Sequence, residues 1–287
     1  MNSVLWLALL LVAPLSPQPT ATAGQRPADP KALPGDLLWM IGPREGAPTA
    51  ATPKPTAKLR ARGRQLYETA CSTCHGVRGD GQGEFSDRLR PRPTDFTRAV
   101  YKIRSTPSGS LPTDEDLFGT ITRGMHGTAM LRWPQLTERD RWALVFHLKS
   151  LSPRFRKEPP GRSIGVPIPP QETQALRERG LESYVRLKCG TCHGDTGAGD
   201  GKRPDGTLTP SPRNFTRGRF IRGAEMEDIY VTLRVGLEGT HMASYDAVPD
   251  DEIWALAAYV RSLVRERPLN EIPLIDPEKA AKEGFGH

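Results

Sequence analysis

The chain has 287 residues, a formal net charge of +7, and 28 each of glycine and proline. That length holds two domains of ordinary size, and the modest apolar content points to small domains with long loops rather than one large core. No recognition helix or basic stripe with interleaved aromatics stands out, which excludes nucleic acid as a partner; the positive balance favours partners with acidic faces.

Residues 4–13 form a short apolar run, closed by Pro14 and Pro17, and Ala21-Thr22-Ala23 follows as a small-residue cleavage pattern. Residues 1–23 therefore read as a signal peptide, with a mature chain starting near Gly24 on the oxidising side of a membrane. The run falls short of the roughly 20 residues that span a bilayer. Its n-region lacks Lys and Arg, so an uncleaved anchor is the alternative, and membrane contact is expected only through it or through a partner complex.

Residues 24–58, rich in Pro, Ala and Thr, read as a flexible leader. Within it, Asp36–Gly42 is a brief apolar island, expected to pack back on a domain, with contact to a partner as the alternative. The first domain is placed at 59–151. Leu66, Tyr67 and Ala70 share one face of a helix leading into Cys71-Ser72-Thr73-Cys74-His75. A glycine-rich turn, Gly76–Gly83, is expected to bring backbone close to whatever the cysteines hold; the strand and the Gly-Lys-Ser/Thr ending of a phosphate loop are missing. Pro91–Thr97 is an extended loop whose carbonyls could accept the Nδ1–H of His75. Thr113 opens a helix with an acidic first turn, ended by Gly124. A Gly-Thr-x-Met130 loop follows, then Thr137-x-x-Asp140 as a capping box for a helix reaching about Leu151, with His147 expected on its exposed side.

Residues 152–170 carry six prolines and read as a semi-extended linker. The second domain, 171–266, then repeats the first. Cys189-Gly190-Thr191-Cys192-His193 begins 118 positions after Cys71, Phe96-Thr97-Arg98 returns as Phe215-Thr216-Arg217, Gly127-Thr128-x-Met130 returns as Gly239-Thr240-x-Met242, and Trp142-Ala143-Leu144 returns as Trp254-Ala255-Leu256. Residues 267–287 form a polar tail without a twin in the first domain.

Cys-x-x-Cys-His is the attachment motif of c-type haem: two intervening residues let both sulfurs reach the vinyl groups on one porphyrin edge, and the histidine falls beneath the iron. A zinc ribbon wants its two cysteine pairs about 15–20 residues apart, far closer than Cys74 and Cys189, and a disulfide scaffold leaves both histidines unexplained. Cys71, Cys74, Cys189 and Cys192 are thus candidate attachment residues for two covalently bound haems c, with His75 and His193 as proximal iron ligands. Two haems bring about four propionate charges, leaving the chain near +3. Met130 and Met242, at matching places in the repeat, are candidate sixth ligands; Met125, His126 and His241 are rivals, with the two histidines otherwise read as solvent-facing loop residues.

On these motifs, residues 59–151 and 177–265 resemble class I cytochrome c domains in tandem. Leu131 and Ala243 stand where many members carry a proline after the methionine, and the helix before Cys189 has one extra residue. The resemblance implies an all-α fold of two helical domains joined by the Pro-rich linker, with the N- and C-terminal helices of each crossing near the haem edge. It implies single-electron transfer between redox partners on the periplasmic side, as a free carrier or as a subunit of a respiratory enzyme. The alternative is a haem enzyme, peroxidase-like or thiosulfate-oxidising, with one open or unusual haem site.

Overall fold

A computed structural model describes residues 48–49, 51–133, 135–201 and 210–265; the signal-peptide segment, the apolar island at 36–42 and the polar tail lie outside them. The described residues are helical, without strands.

The first domain holds helices α1 (Ala57–Ala70), α2 (Ser72–His75), α3 (Asp114–Arg123) and α4 (Glu138–Ser150). Thr56 caps α1 by accepting from the Leu59 amide, and Leu59, Gly63, Leu66 and Tyr67 form its buried face. α3 starts in a reciprocal capping box, with Thr113 Oγ1 accepting from the Asp116 amide and the Asp116 carboxylate accepting from the Thr113 amide, both at 3.1 Å. The box expected at Thr137 is only half formed. Thr137 Oγ1 accepts from the Asp140 amide at 3.1 Å, but the Asp140 carboxylate accepts from Arg62 of α1 at 2.8 Å.

α1 crosses α4 at Gly63, where an added Cβ would collide with the Ala143 carbonyl. The second domain repeats this crossing. Its helices are α6 (Gln174–Arg186), α7 (Gly190–His193), α8 (Met226–Val235) and α9 (Asp250–Ser262), after a one-turn α5 (Arg154–Lys157) in the linker. Gly180 of α6 lies against the Ala255 carbonyl of α9. Two cores result, one around Tyr67, Phe118 and Trp142, the other around Tyr184, Tyr230 and Trp254.

The crossing explains a correction. His147 is 9% exposed, not on a solvent face, because α1 lies over that side of α4 and the Tyr67 ring sits 5.0 Å from the imidazole. The repeat carried the signal: Tyr259, the matching residue, packs on Tyr184 at 5.3 Å.

The extra residue before Cys189 is absorbed at the end of α6. Lys188 adopts a left-handed φ of 56°, and the Cys189 amide donates five residues back to Tyr184, whereas the Cys71 amide donates four back to Tyr67. The register of the second motif is thereby restored: Tyr67 Oη donates to the Gly76 carbonyl and Tyr184 Oη to the Gly194 carbonyl, each at 2.7 Å.

The linker is more than a proline spacer. Its Gly161 amide donates to Leu111 O at 3.0 Å and its Ile164 amide to Ser105 O at 2.8 Å, while Ile164 and Val166 pack on the second core. The end of the leader is tied down too, with Thr49 Oγ1 donating to Glu138 at 2.6 Å.

Gly63→Ala is expected to destabilise the protein by about 1–3 kcal/mol through overpacking at the crossing, seen as a lower midpoint of thermal unfolding by circular dichroism. An unchanged midpoint contradicts the close approach.

Candidate functional site

In each domain the end of the first helix, the Cys-x-x-Cys-His turn and the methionine loop surround one cavity. The first, of about 240 Å³, is lined by Cys71, Cys74 and His75 on one side and by Ala129 and Met130 of the loop after α3 on another. The second, of about 660 Å³, is lined correspondingly by Cys189, Cys192, His193, His241 and Met242. No two of the four cysteines are joined in a disulfide, and burial pushes the Cys71 and Cys189 thiols up to about 11.

The histidines are held from both sides. His75 Nδ1 lies 3.1 Å from the Thr94 carbonyl, in the proline-bearing loop where the sequence suggested an acceptor, and His193 Nδ1 lies 3.1 Å from the Arg213 carbonyl, in the matching loop of the repeat. A carbonyl only accepts, so Nδ1 carries the proton and Nε2 keeps its lone pair. Phe96 stacks on His75 at 4.5 Å and Phe215 on His193 at 4.3 Å, which fixes the ring planes. Burial, outweighing the carbonyl bond, lowers both histidines from their ordinary range and keeps them neutral.

The methionine loops are built alike. Thr128 Oγ1 donates to Met125 O at 2.7 Å and accepts from the Met130 amide at 3.1 Å; Thr240 Oγ1 donates to Leu237 O at 2.6 Å and accepts from the Met242 amide at 3.0 Å. The carbonyls of Met130 and Met242 accept from the Met125 and Leu237 amides in turn. Of the rivals, Met125 lines the first cavity but is replaced by Leu237 in the repeat. His126 is exposed and lies off the first cavity's lining, and His241 is exposed at the mouth of the second, where the first domain has Ala129.

One expectation is corrected. The glycine turn 76–83 lines neither cavity. It is tight because it folds onto its own domain: a Cβ on Gly83 would strike the Thr73 carbonyl, and one on Gly81 would come within 2.9 Å of the Pro93 carbonyl.

The residues present fit a haem. The cavity walls are largely apolar, with Leu117, Ile121 and Leu144 in the first and Ile229, Leu233 and Leu256 in the second. Their charged lining is one-sided: among the described residues, both have Lys and Arg and neither has Asp or Glu. Tyr101, on the first cavity, buries a hydroxyl that has no hydrogen-bond partner among the described residues. An apolar disc bearing carboxylates answers all three features. Sequence reasoning missed Tyr101, Lys102 and the stacking role of Phe96 and Phe215. The repeat of Phe-Thr-Arg was visible, but nothing in it said that the ring lies on the histidine.

Comparison with known proteins agrees with this geometry. The cytochrome c family model matches residues 60–152 and again 178–264. Among curated proteins, the chain is 24% identical over 211 residues to the cbb3-type cytochrome c oxidase subunit FixP of Azorhizobium caulinodans, an alignment covering 74% of this chain and 62% of that relative. Among solved structures, it resembles a chain of the reducing HAO-like protein complex of Kuenenia stuttgartiensis, with TM-score 0.70 and 38% identity, covering 75% of this chain and all of that one. The chain belongs to the cytochrome c family, whose domain it carries twice in tandem and whose members carry covalently bound, iron-containing haem c and transfer electrons.

Proposed function

We propose that the protein is a two-haem cytochrome c that passes single electrons between redox proteins on the periplasmic side, as the electron-transfer subunit of a redox complex. The observation that carries this reading is the duplicated cavity: each has its own cysteine pair, oriented histidine and methionine loop. Cys71 and Cys74 would hold one haem by thioether bonds, and Cys189 and Cys192 the other. When bound, the haem supplies an iron that cycles between ferric and ferrous.

The chain's own residues do the rest. Thr94 O and Arg213 O fix the tautomer that presents His75 Nε2 and His193 Nε2 as iron ligands. The Thr128 and Thr240 hydroxyls hold the loops that present Met130 and Met242 as sixth ligands. With Met130 and Met242 as ligands, each bound haem would have a raised potential and be closed to small molecules, and neither site would need a general acid, base or nucleophile. Both relatives are named as components of complexes, which favours a subunit over a free carrier. Among the described residues no helix is long and apolar enough to cross a membrane, so attachment to such a complex would run through partner surfaces or through segments outside them. The net positive chain suits partners with acidic docking faces.

Met130→Ala is expected to remove about half of the thioether-to-iron charge-transfer absorption of the oxidised protein and to lower one of two midpoint potentials. Met242→Ala should do the same to the other. A variant whose spectrum and potentials match the unmodified protein refutes the ligand assignment at that site, and a single methionine-ligated haem favours the haem-enzyme reading.

Thr128→Val loses two hydrogen bonds that hold the first loop, worth about 1 kcal/mol each. Imidazole should displace the first site's sixth ligand at a roughly thirtyfold lower concentration, followed by optical titration. Unaltered displacement means the loop is held by other contacts.

A further inference from the structure

The two cavities share a wall. The second is lined by its own domain and also by Arg90, Pro91, Lys102 and Gly127 of the first. Pro91 and Lys102 line the first cavity as well. The backbone carrying Lys102 is clamped between the domains. Two residues on, Arg104 is fully buried; its Nη2 donates to Val235 O at 2.9 Å, its Nε pairs with Glu238 at 3.3 Å, and its own carbonyl accepts from Arg222. The backbone two residues beyond Lys102 is therefore anchored to the second domain.

The repeat sharpens the point. Phe215 stacks on Phe220 as Phe96 does on Tyr101, which aligns Phe220 with Tyr101 and so Ile221 with Lys102. Ile221 lines the second cavity. The second domain thus has an apolar side chain where the first has its lysine, and the first domain's lysine lies on the second domain's cavity. Among the described residues no carboxylate pairs with the Lys102 ammonium, in contrast to Arg104 beside it. Burial lowers the Lys102 pKa, a desolvation cost that an anion alongside would offset.

We propose that Lys102 is one cation serving two haem sites: it binds carboxylate groups of the cofactors in both clefts and raises both reduction potentials together. Reduction adds one negative charge to a site, so a fixed positive charge in its wall favours the reduced form, and a charge in a shared wall favours it twice. Lys102 acts as a positioning and potential-setting residue that passes no electron itself. The inference rests on the two-haem reading above.

The test is a spectroelectrochemical titration of full-length holoprotein carrying Lys102→Gln. Both midpoint potentials should fall, each reduction equilibrium losing on the order of tenfold, ~59 mV for a one-electron couple. Lys102→Arg should restore both. Arg92→Gln, which removes a cation lining the first cavity alone, should leave the second potential in place. A fall in only one potential, or in neither, overturns the shared role. Where Lys102→Gln fails to accumulate, the unmodified protein labelled with 15N-lysine decides. The Lys102 ammonium resonance, identified by its absence in Lys102→Arg, should shift in both reduction steps; a shift in only one overturns the proposal. A holoprotein with fewer than two haems refutes the two-haem reading itself, an outcome distinct from two haems of which one ignores Lys102.

Discussion

In each domain a glycine of the first helix rests against a carbonyl of the last, Gly63 on Ala143 and Gly180 on Ala255. A side chain at either position would force the helices apart. Because the backbones touch, the first helix is held by packing along its length, and the Cys-x-x-Cys-His turn leaves its end at a defined place. The tyrosine four residues past each glycine then ties the helix to the turn after the histidine. The cysteines, the histidine and the edge of the cavity therefore take their positions from a contact that contains no cofactor ligand.

The second constraint is electrostatic. A buried cation without a partner is costly, yet the cavities face Lys and Arg without acidic residues among the described lining. A cavity built this way is complementary to an apolar group carrying negative charge. Within one chain, the same arrangement lets the domain interface do two things. Arg104 and the linker fasten the domains together, and Lys102 beside that joint faces both clefts. The joint that holds the domains also sets the electrical surroundings of their sites.

Much of this was legible in the sequence because it rests on short-range rules. The caps at Thr113 and Thr137, the stop at Gly124 and the histidine acceptor in the Pro91–Thr97 loop all follow from local chemistry. What was not legible depends on how distant segments meet. His147 reads as a polar residue near a helix end, and only the α1 crossing buries it. The glycines of 76–83 read as room for a cofactor, while the structure spends them on protein backbone. Nothing in the sequence singles out Lys102 among the chain's many basic residues. Its place between two cavities depends on the docking of the domains, which no periodicity encodes.

The central claim is that each half of the chain is a complete, methionine-closed haem site. The most direct measurement is the haem content of the purified full-length protein, by pyridine haemochrome, together with its oxidised far-red spectrum. The account predicts two covalently attached haems per chain, both contributing the thioether-to-iron band. One haem per chain, or two with the band from only one, would contradict it.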